Sequence, residues 1–224
     1  RAHEIAKERG YAYIDGYDDP AIIAGQGTMG VEIVEQVPDL DAVIVPVGGA
    51  GLIAGVALAV KTLRPQAKII AVEAEHVASF SAALHEGKPT RIATRPTLAD
   101  GLAIAQVGAN AFEIARDLVD RAITVSEEQI AVSILRIVEL EKGVVEGSAA
   151  TPLAACLSGQ LPGLAGKRCV LLLCRGNIDP NVLSRVIERA LVADGRLCRF
   201  TALISDRPVG WPIWRPKLHP LARA

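Results

Sequence analysis

The sequence predicts an α/β protein built on an open, twisted parallel sheet with helices on both faces. Three observations carry that expectation. Apolar, β-branched runs alternate with Ala- and Leu-rich helical patterns along most of the chain. Half of the 224 residues are hydrophobic but only 4% are aromatic, a composition suited to layers of aliphatic side chains. The run Val43-Ile44-Val45-Pro46-Val47 breaks into Gly48-Gly49-Ala50-Gly51 and restarts as Leu52-Ile53-Ala54-Gly55, which is a strand, a tight turn and a helix start.

In chain order, residues 2–8 read as a helix stopped by Gly10, and residues 11–14 as a short strand. Asp18-Asp19-Pro20 is a turn. Ala24-Gly25-Gln26-Gly27-Thr28 reads as a loop-to-helix joint, with Thr28 capping a helix through Met29, Val31, Ile33, Val34 and Val37 that stops at Pro38. Further strands are expected at 42–47, 68–72, 122–125 and 169–173. Helices are expected at 52–62, 77–85, 109–118 and 127–142, and from Asp179 to about Val192. Ser126 and Gln129 have capping-box spacing, which places a helix start at Glu127. Residues 196–204 read as a fresh strand after Asp194-Gly195. The Pro- and Trp-rich tail, 211–224, has no periodicity.

Composition narrows the function classes. A formal net charge of -1 gives no reason to expect a nucleic-acid or acidic-membrane partner. Cys156, Cys169, Cys174 and Cys198 form no C-x-x-C pair, so reduced thiols and a cytoplasmic location are expected. No apolar segment approaches the roughly 20 residues of a membrane helix. The chain starts at Arg1, without Met, inside a helical pattern, and reads as a fragment. There is no G-x-S-x-G, and Gly159 to Arg168 fails the P-loop pattern because Arg168 follows Gly166-Lys167. His3, His76, His85 and His219 lack a zinc spacing.

Three stretches carry chemistry. The glycine turn exposes backbone N–H groups at the positive end of a helix, an anion site. It satisfies G-x-G-x-x-A, with Glu73 about 20 residues on, as an NAD-binding Rossmann module requires. It equally suits the phosphate of a single small cofactor, or glycines kept for close packing. Second, the strand ending in Leu171-Leu172-Leu173 delivers Cys174 to the same carboxyl-end crevice, where the thiol contacts a ligand or fills space. Third, the Glu73 carboxylate, the Val77 carbonyl and the Ser79 hydroxyl either surround a hard cation or cap the next helix.

Taken in order, AGQGT, VPVGGAGL, AVEAE, LADGLAI at 98–104, VVEGSAAT at 144–151 and CRGNID resemble the threonine/serine dehydratases (ammonia-lyases). These are pyridoxal-phosphate enzymes of the tryptophan-synthase-β-like fold. The resemblance spans about residues 1–205. It implies that Gly48, Gly49, Ala50, Gly51 and Leu52 cradle the cofactor phosphate and that Cys174 meets the pyridine nitrogen. It further implies a monovalent cation, potassium, at Glu73, Val77 and Ser79, an active-site carboxylate at Glu146, and a threonine or serine substrate in a homo-oligomer. On this basis residues 1–19 end a small domain, 20–193 form most of the large pyridoxal-phosphate-binding domain, and 194–210 open an ACT-like regulatory module.

The chain departs from that family in four places. Ala50 stands where a glycine is usual, and keeps its N–H in place if its φ is negative. Ser148-Ala149-Ala150 replaces the commoner Ala-Gly-Ala. The Ser-x-Lys segment that supplies the family's Schiff-base lysine, and the Ser-Gly-Asn segment that holds the substrate carboxylate, do not occur in the chain. Without the lysine the chain alone is expected to be inactive. After Asp206-Arg207-Pro208 the family's pattern gives way to Val209-Gly210-Trp211, which points to a frameshift or truncation.

Overall fold

The computed structural model describes residues 1–201. Its centre is a four-stranded, all-parallel sheet in the order β3-β2-β1-β4, with β1 at Ala42–Pro46, β2 at Lys68–Ala74, β3 at Arg121–Val125 and β4 at Cys169–Leu171. Strand β1 is paired on both edges, Ala42 registering with Lys68 on one side and Cys169 on the other. Every residue of β1 is buried, as its unbroken apolar run requires.

The period-2 rule sorts the strand side chains to two faces. Val43, Val45, Ile69 and Ala71 join one core with α2 (Pro20–Gln36), α3 (Gly51–Leu63), α4 (Ser79–Glu86) and α5 (Ala109–Ala115). Ile44, Ile70 and Val72 join the other with α6 (Glu127–Arg136), α7 (Gly147–Leu157) and α8 (Pro180–Ala193). The expected two-faced parallel α/β layering is therefore present. No helix among the described residues is long and apolar enough to cross a membrane.

Several elements differ from the sequence expectation. Helix α1 (Ala2–Arg9) ends at a left-handed Gly10 as expected, but residues 11–14 pair with no strand and are exposed. Helix α2 starts nine residues earlier than an N-cap at Thr28 implied. Asp19 caps it by accepting from the Ala21 N–H at 2.8 Å, and Pro20 sits in the first turn. Gly25 and Gly27 lie inside that helix, and Thr28 only back-bonds to the Gly25 carbonyl. Gly25 faces open space, but packing demands two other helical glycines: a Cβ on Gly30 would stand 2.8 Å from the Ala59 Cβ, and one on Gly55 2.3 Å from the Ile23 carbonyl oxygen. Helices α2 and α3 touch backbone to backbone, which outweighs glycine's poor helix propensity.

The capping box at Ser126 and Gln129 forms in both directions. Its helix gives way after Arg136 to a π turn at Ile137–Glu141, ended by Lys142 at φ 57. Helix α5 stops at Ala115, and a 3-10 turn at Glu75–Val77 precedes α4. Helix α7 was not anticipated. Its run of small residues lacks apolar periodicity and contains Pro152, whose missing N–H would have met the Ser148 carbonyl; the Thr151 hydroxyl donates there instead, at 3.0 Å. Residues 196–201 form no strand, and the remainder of the expected strand, the bulk of the ACT-like segment and the tail lie outside the described residues.

Candidate functional site

The glycine turn leaves the carboxyl end of β1, the place where open parallel sheets gather ligands. Its glycines are demanded by close neighbours. A Cβ on Gly49 would stand 2.3 Å from the Tyr17 ring, one on Gly51 2.3 Å from the Tyr17 carbonyl oxygen, and one on Gly48 3.1 Å from the Leu102 Cα. Helix α3 starts at Gly51, and its first N–H groups have no partner within the helix.

Ala50 adopts φ 73, contrary to the negative value the sequence argument preferred. This left-handed conformation is strained for a residue with a Cβ. It belongs with the turn, because a left-handed residue beside right-handed ones aims successive amides at one point. The turn is therefore built at a cost in strain at Ala50.

The turn forms one wall of a cleft of about 600 Å³. Tyr17, Leu102, Ser148, Cys174 and Arg175 line it as well. The expected meeting of the glycine turn with Cys174 is thus observed. Burial raises the Cys174 thiol above its ordinary pKa, with Arg175 opposing, so the group is neutral near pH 7. Burial also raises the Tyr17 phenol, reinforced by Asp15 and Asp18. No lysine lines this cleft among the described residues.

Glu146 is the N-cap residue of α7 and is 7% exposed. Its Oε1 is buried without a hydrogen bond, and Arg175 Nη1 lies 3.9 Å away. The Ser148 hydroxyl is also buried and unpaired. Tyr17, Ser148 and Arg175 were not singled out as site residues from sequence. Arg175 sat beside Cys174 in plain view, whereas Tyr17 reaches the cleft through a long-range contact that leaves no local pattern.

The Glu73 group behaves as a helix cap. Glu73 is fully buried and accepts from the Phe80 N–H at 2.7 Å, the Ser81 N–H at 2.9 Å and the Ser81 hydroxyl at 2.5 Å. Burial raises its pKa against those three bonds. The Val77 side chain is buried next to it, and the Ser79 hydroxyl is buried with no partner. No set of three or more His, Cys, Asp or Glu able to hold a metal occurs among the described residues.

This capping role bears on the dinucleotide reading. The strand order β3-β2-β1-β4 is compatible with a Rossmann sheet, but the carboxylate that should hold the ribose is turned inward and committed to α4. What the fold and cleft define is an α/β protein in which a glycine turn at the carboxyl end of the central parallel strand and a neutral thiol line one cleft. Comparison with known proteins agrees: residues 1–175 match the family model described as pyridoxal-phosphate dependent enzyme, and the chain belongs to that family. It is 42% identical, over 92% of its own length, to the L-threonine ammonia-lyase of Geobacter sulfurreducens, and 43% identical, over 84%, to the catabolic L-threonine dehydratase TdcB of Escherichia coli K12. It covers 51% and 56% of those proteins, so the chain spans about half the length of the curated relatives it matches. Among solved structures, the processed threonine deaminase isoform 2 of Solanum lycopersicum superimposes with a TM-score of 0.81 at 36% identity, over 85% of this chain and 56% of that one. The Rossmann alternative finds no support in these matches.

Proposed function

We propose that this chain is the cofactor-anchoring part of a pyridoxal-phosphate-dependent ammonia-lyase acting on L-threonine or L-serine, converting the hydroxy amino acid to a 2-keto acid and ammonia. The observation that carries the reading is the single cleft lined by both the glycine turn and Cys174. The residues present fit the group: the turn of Gly48, Gly49, Ala50 and Gly51 with the Leu52 amide, at the start of α3, offers N–H donors to a phosphate along a cleft that these residues line. Cys174 offers a neutral partner to a ring nitrogen, so it does not enforce a ring charge. When bound, pyridoxal phosphate supplies the electron sink that eases loss of the substrate's α-proton. This chain's own part is to hold and orient the cofactor; the proton-transferring lysine is outside its cleft-lining residues.

Potassium at Glu73, Val77 and Ser79 belongs to the same proposal. Its support is the buried, unpaired Ser79 hydroxyl beside a buried carboxylate that has lone pairs left after its three bonds. The full-length protein is proposed to be a homo-oligomer, with residues 20–193 as most of its large domain.

The test has two arms. Titration of the chain with pyridoxal phosphate is expected to raise its thermal midpoint. A full-length version carrying the residues upstream of Arg1 is expected to release ammonia from L-threonine or L-serine. Stabilisation by NAD with none by pyridoxal phosphate would refute the reading.

A further inference from the structure

Between α4 and α5 the chain makes only one regular turn, the 3-10 turn at Asp100–Leu102. Ala99 and Leu102 are nevertheless buried. A segment outside helix and sheet has no ladder to fix it, so side-chain bonds must set its position. This stretch supplies part of the cleft, because Leu102 and Ile104 line it. The Leu102 Cα lies 3.1 Å from where a Cβ on Gly48 would stand, and the Leu98 carbonyl occupies the place of a Cβ on Gly147. A Cβ on Gly101 would meet Arg175 Nη1 at 2.6 Å, Ser148 Oγ at 2.7 Å and Glu146 Oε1 at 2.9 Å. Residues 98–102 are therefore wedged between the glycine turn and the start of α7, where a small displacement reaches both.

Glu127 fixes this wedge from outside the cleft lining. It is the first residue of α6, and its side chain, 5% exposed, reaches back to the coil. One carboxylate oxygen accepts from the Thr97 hydroxyl at 2.5 Å and the other from the Leu98 N–H at 2.7 Å. The Thr97 oxygen in turn accepts from the Ala99 N–H at 3.1 Å. His76 adds a second hold, its Nδ1 donating at 2.6 Å to the Pro96 carbonyl, which can only accept. Capping α6 does not need Glu127, because Ser126 and Gln129 already form the capping box. Hydrogen bonds to a buried carboxylate are strong and costly to lose, so the two bonds to Glu127 dominate the placement of the coil.

We propose that Glu127 is a positioning residue for the cofactor cleft: through Thr97 and Leu98 it sets where Gly101 and Leu102 stand against the glycine turn. The assignment rests on the cofactor reading above. Glu127 acts through the coil and contributes no group to the cleft itself.

The experiment measures affinity for pyridoxine 5′-phosphate by calorimetry. This probe carries the ring and the phosphate of the cofactor and has no aldehyde to react with surface lysines. The parent is compared with E127A, T97V, T97S and E127A/T97V, and circular dichroism checks that each variant is folded. D120N is the control, since Asp120 pairs with Lys61 and neither lines the cleft. E127A is expected to weaken binding about 5- to 150-fold, the usual span of coupling between separated groups, and T97V by less. T97S keeps the hydroxyl and is expected to bind as the parent does. E127A/T97V is expected to be no weaker than E127A alone, because both changes break the same link. D120N is expected to melt lower yet bind as the parent does, which separates positioning from a general loss of stability. Parent-like affinity in E127A overturns the proposal, and so does weakening in D120N as large as in E127A. If E127A does not fold, T97V decides: weaker binding that T97S restores supports the proposal, and parent-like affinity overturns it. A parent chain that binds no pyridoxine 5′-phosphate overturns the cofactor reading and the positioning role with it.

Discussion

The ring of Tyr17 packs into the space that a side chain on Gly49 would occupy, 2.3 Å from the absent Cβ. The loop after α1 and the turn after β1 are thus fitted to each other at one atom's depth. Gly49→Ala is expected to lower stability by about 1–3 kcal/mol, the usual range for overpacking. Urea unfolding of G49A, Y17A and the double variant measures this, and the double variant is expected to lose less than the sum of the two singles.

Ala50 makes the opposite prediction. With φ at 73 it carries strain that glycine would not. Ala50→Gly is expected to stabilise the chain by about 1 kcal/mol, after glycine's greater unfolded-state entropy is set against the relieved strain. A higher urea midpoint at unchanged slope checks it, and a lower midpoint would contradict the assigned conformation.

The seam between α2 and α3 is the most sensitive helix contact. A Cβ on Gly55 would stand 2.3 Å from the Ile23 carbonyl oxygen and 2.6 Å from the Gly27 nitrogen, both backbone atoms that cannot swing away. Gly55→Ala is expected to cost about 2–3 kcal/mol, despite alanine being the better helix former. Thermal melts of G55A beside L58A, a change at a half-exposed position of the same helix, separate the seam from a general helix effect.

The acid limb of stability has a specific contributor in Asp120. Burial pushes its carboxyl up, but Lys61 Nζ at 2.8 Å and the Ile69 N–H at 2.7 Å outweigh that and hold its pKa below the ordinary value. A depressed folded-state pKa stabilises above the unfolded pKa, about 3.9, and that stabilisation is lost as pH falls through the folded value. Asp120→Asn is therefore expected to cost about 1 kcal/mol near pH 7, solvent exposure having been discounted, and nothing at the lowest pH. Melting temperatures of D120N and parent between pH 7 and pH 2 should converge on the acid side.

How much of this was legible in the sequence depended on whether the signal was local. β1 with its glycine turn and α3 came through because a β-branched run, glycines and a helical repeat lie within about twenty residues. The capping box at Ser126 came through for the same reason. The start of α2 was missed because Gly27 and Gly30 face α3, a contact that leaves no mark in the local sequence. Helix α7 was hidden by small residues and Pro152. In the cleft, Cys174 was readable as a strand-end residue, while the sign of φ at Ala50 and the meeting of Glu146, Ser148 and Arg175 over Gly101 depend on segments brought together from far apart.

The strand order also says in what sequence the cleft comes into being. β1, α3, β2, α5 and β3 pair with near neighbours along the chain, whereas β4 reaches β1 only by closing a long loop: the Arg168 N–H that joins them donates to Asp41, 127 residues away. Loop closure is paid before such contacts reward it, so distant pairings lag behind local ones. The glycine turn is therefore an early piece of the folding chain and Cys174 and Arg175 a late one. A chain that had formed the glycine turn alone would still lack Cys174 and Arg175, so the cleft is complete only once β4 has paired with β1.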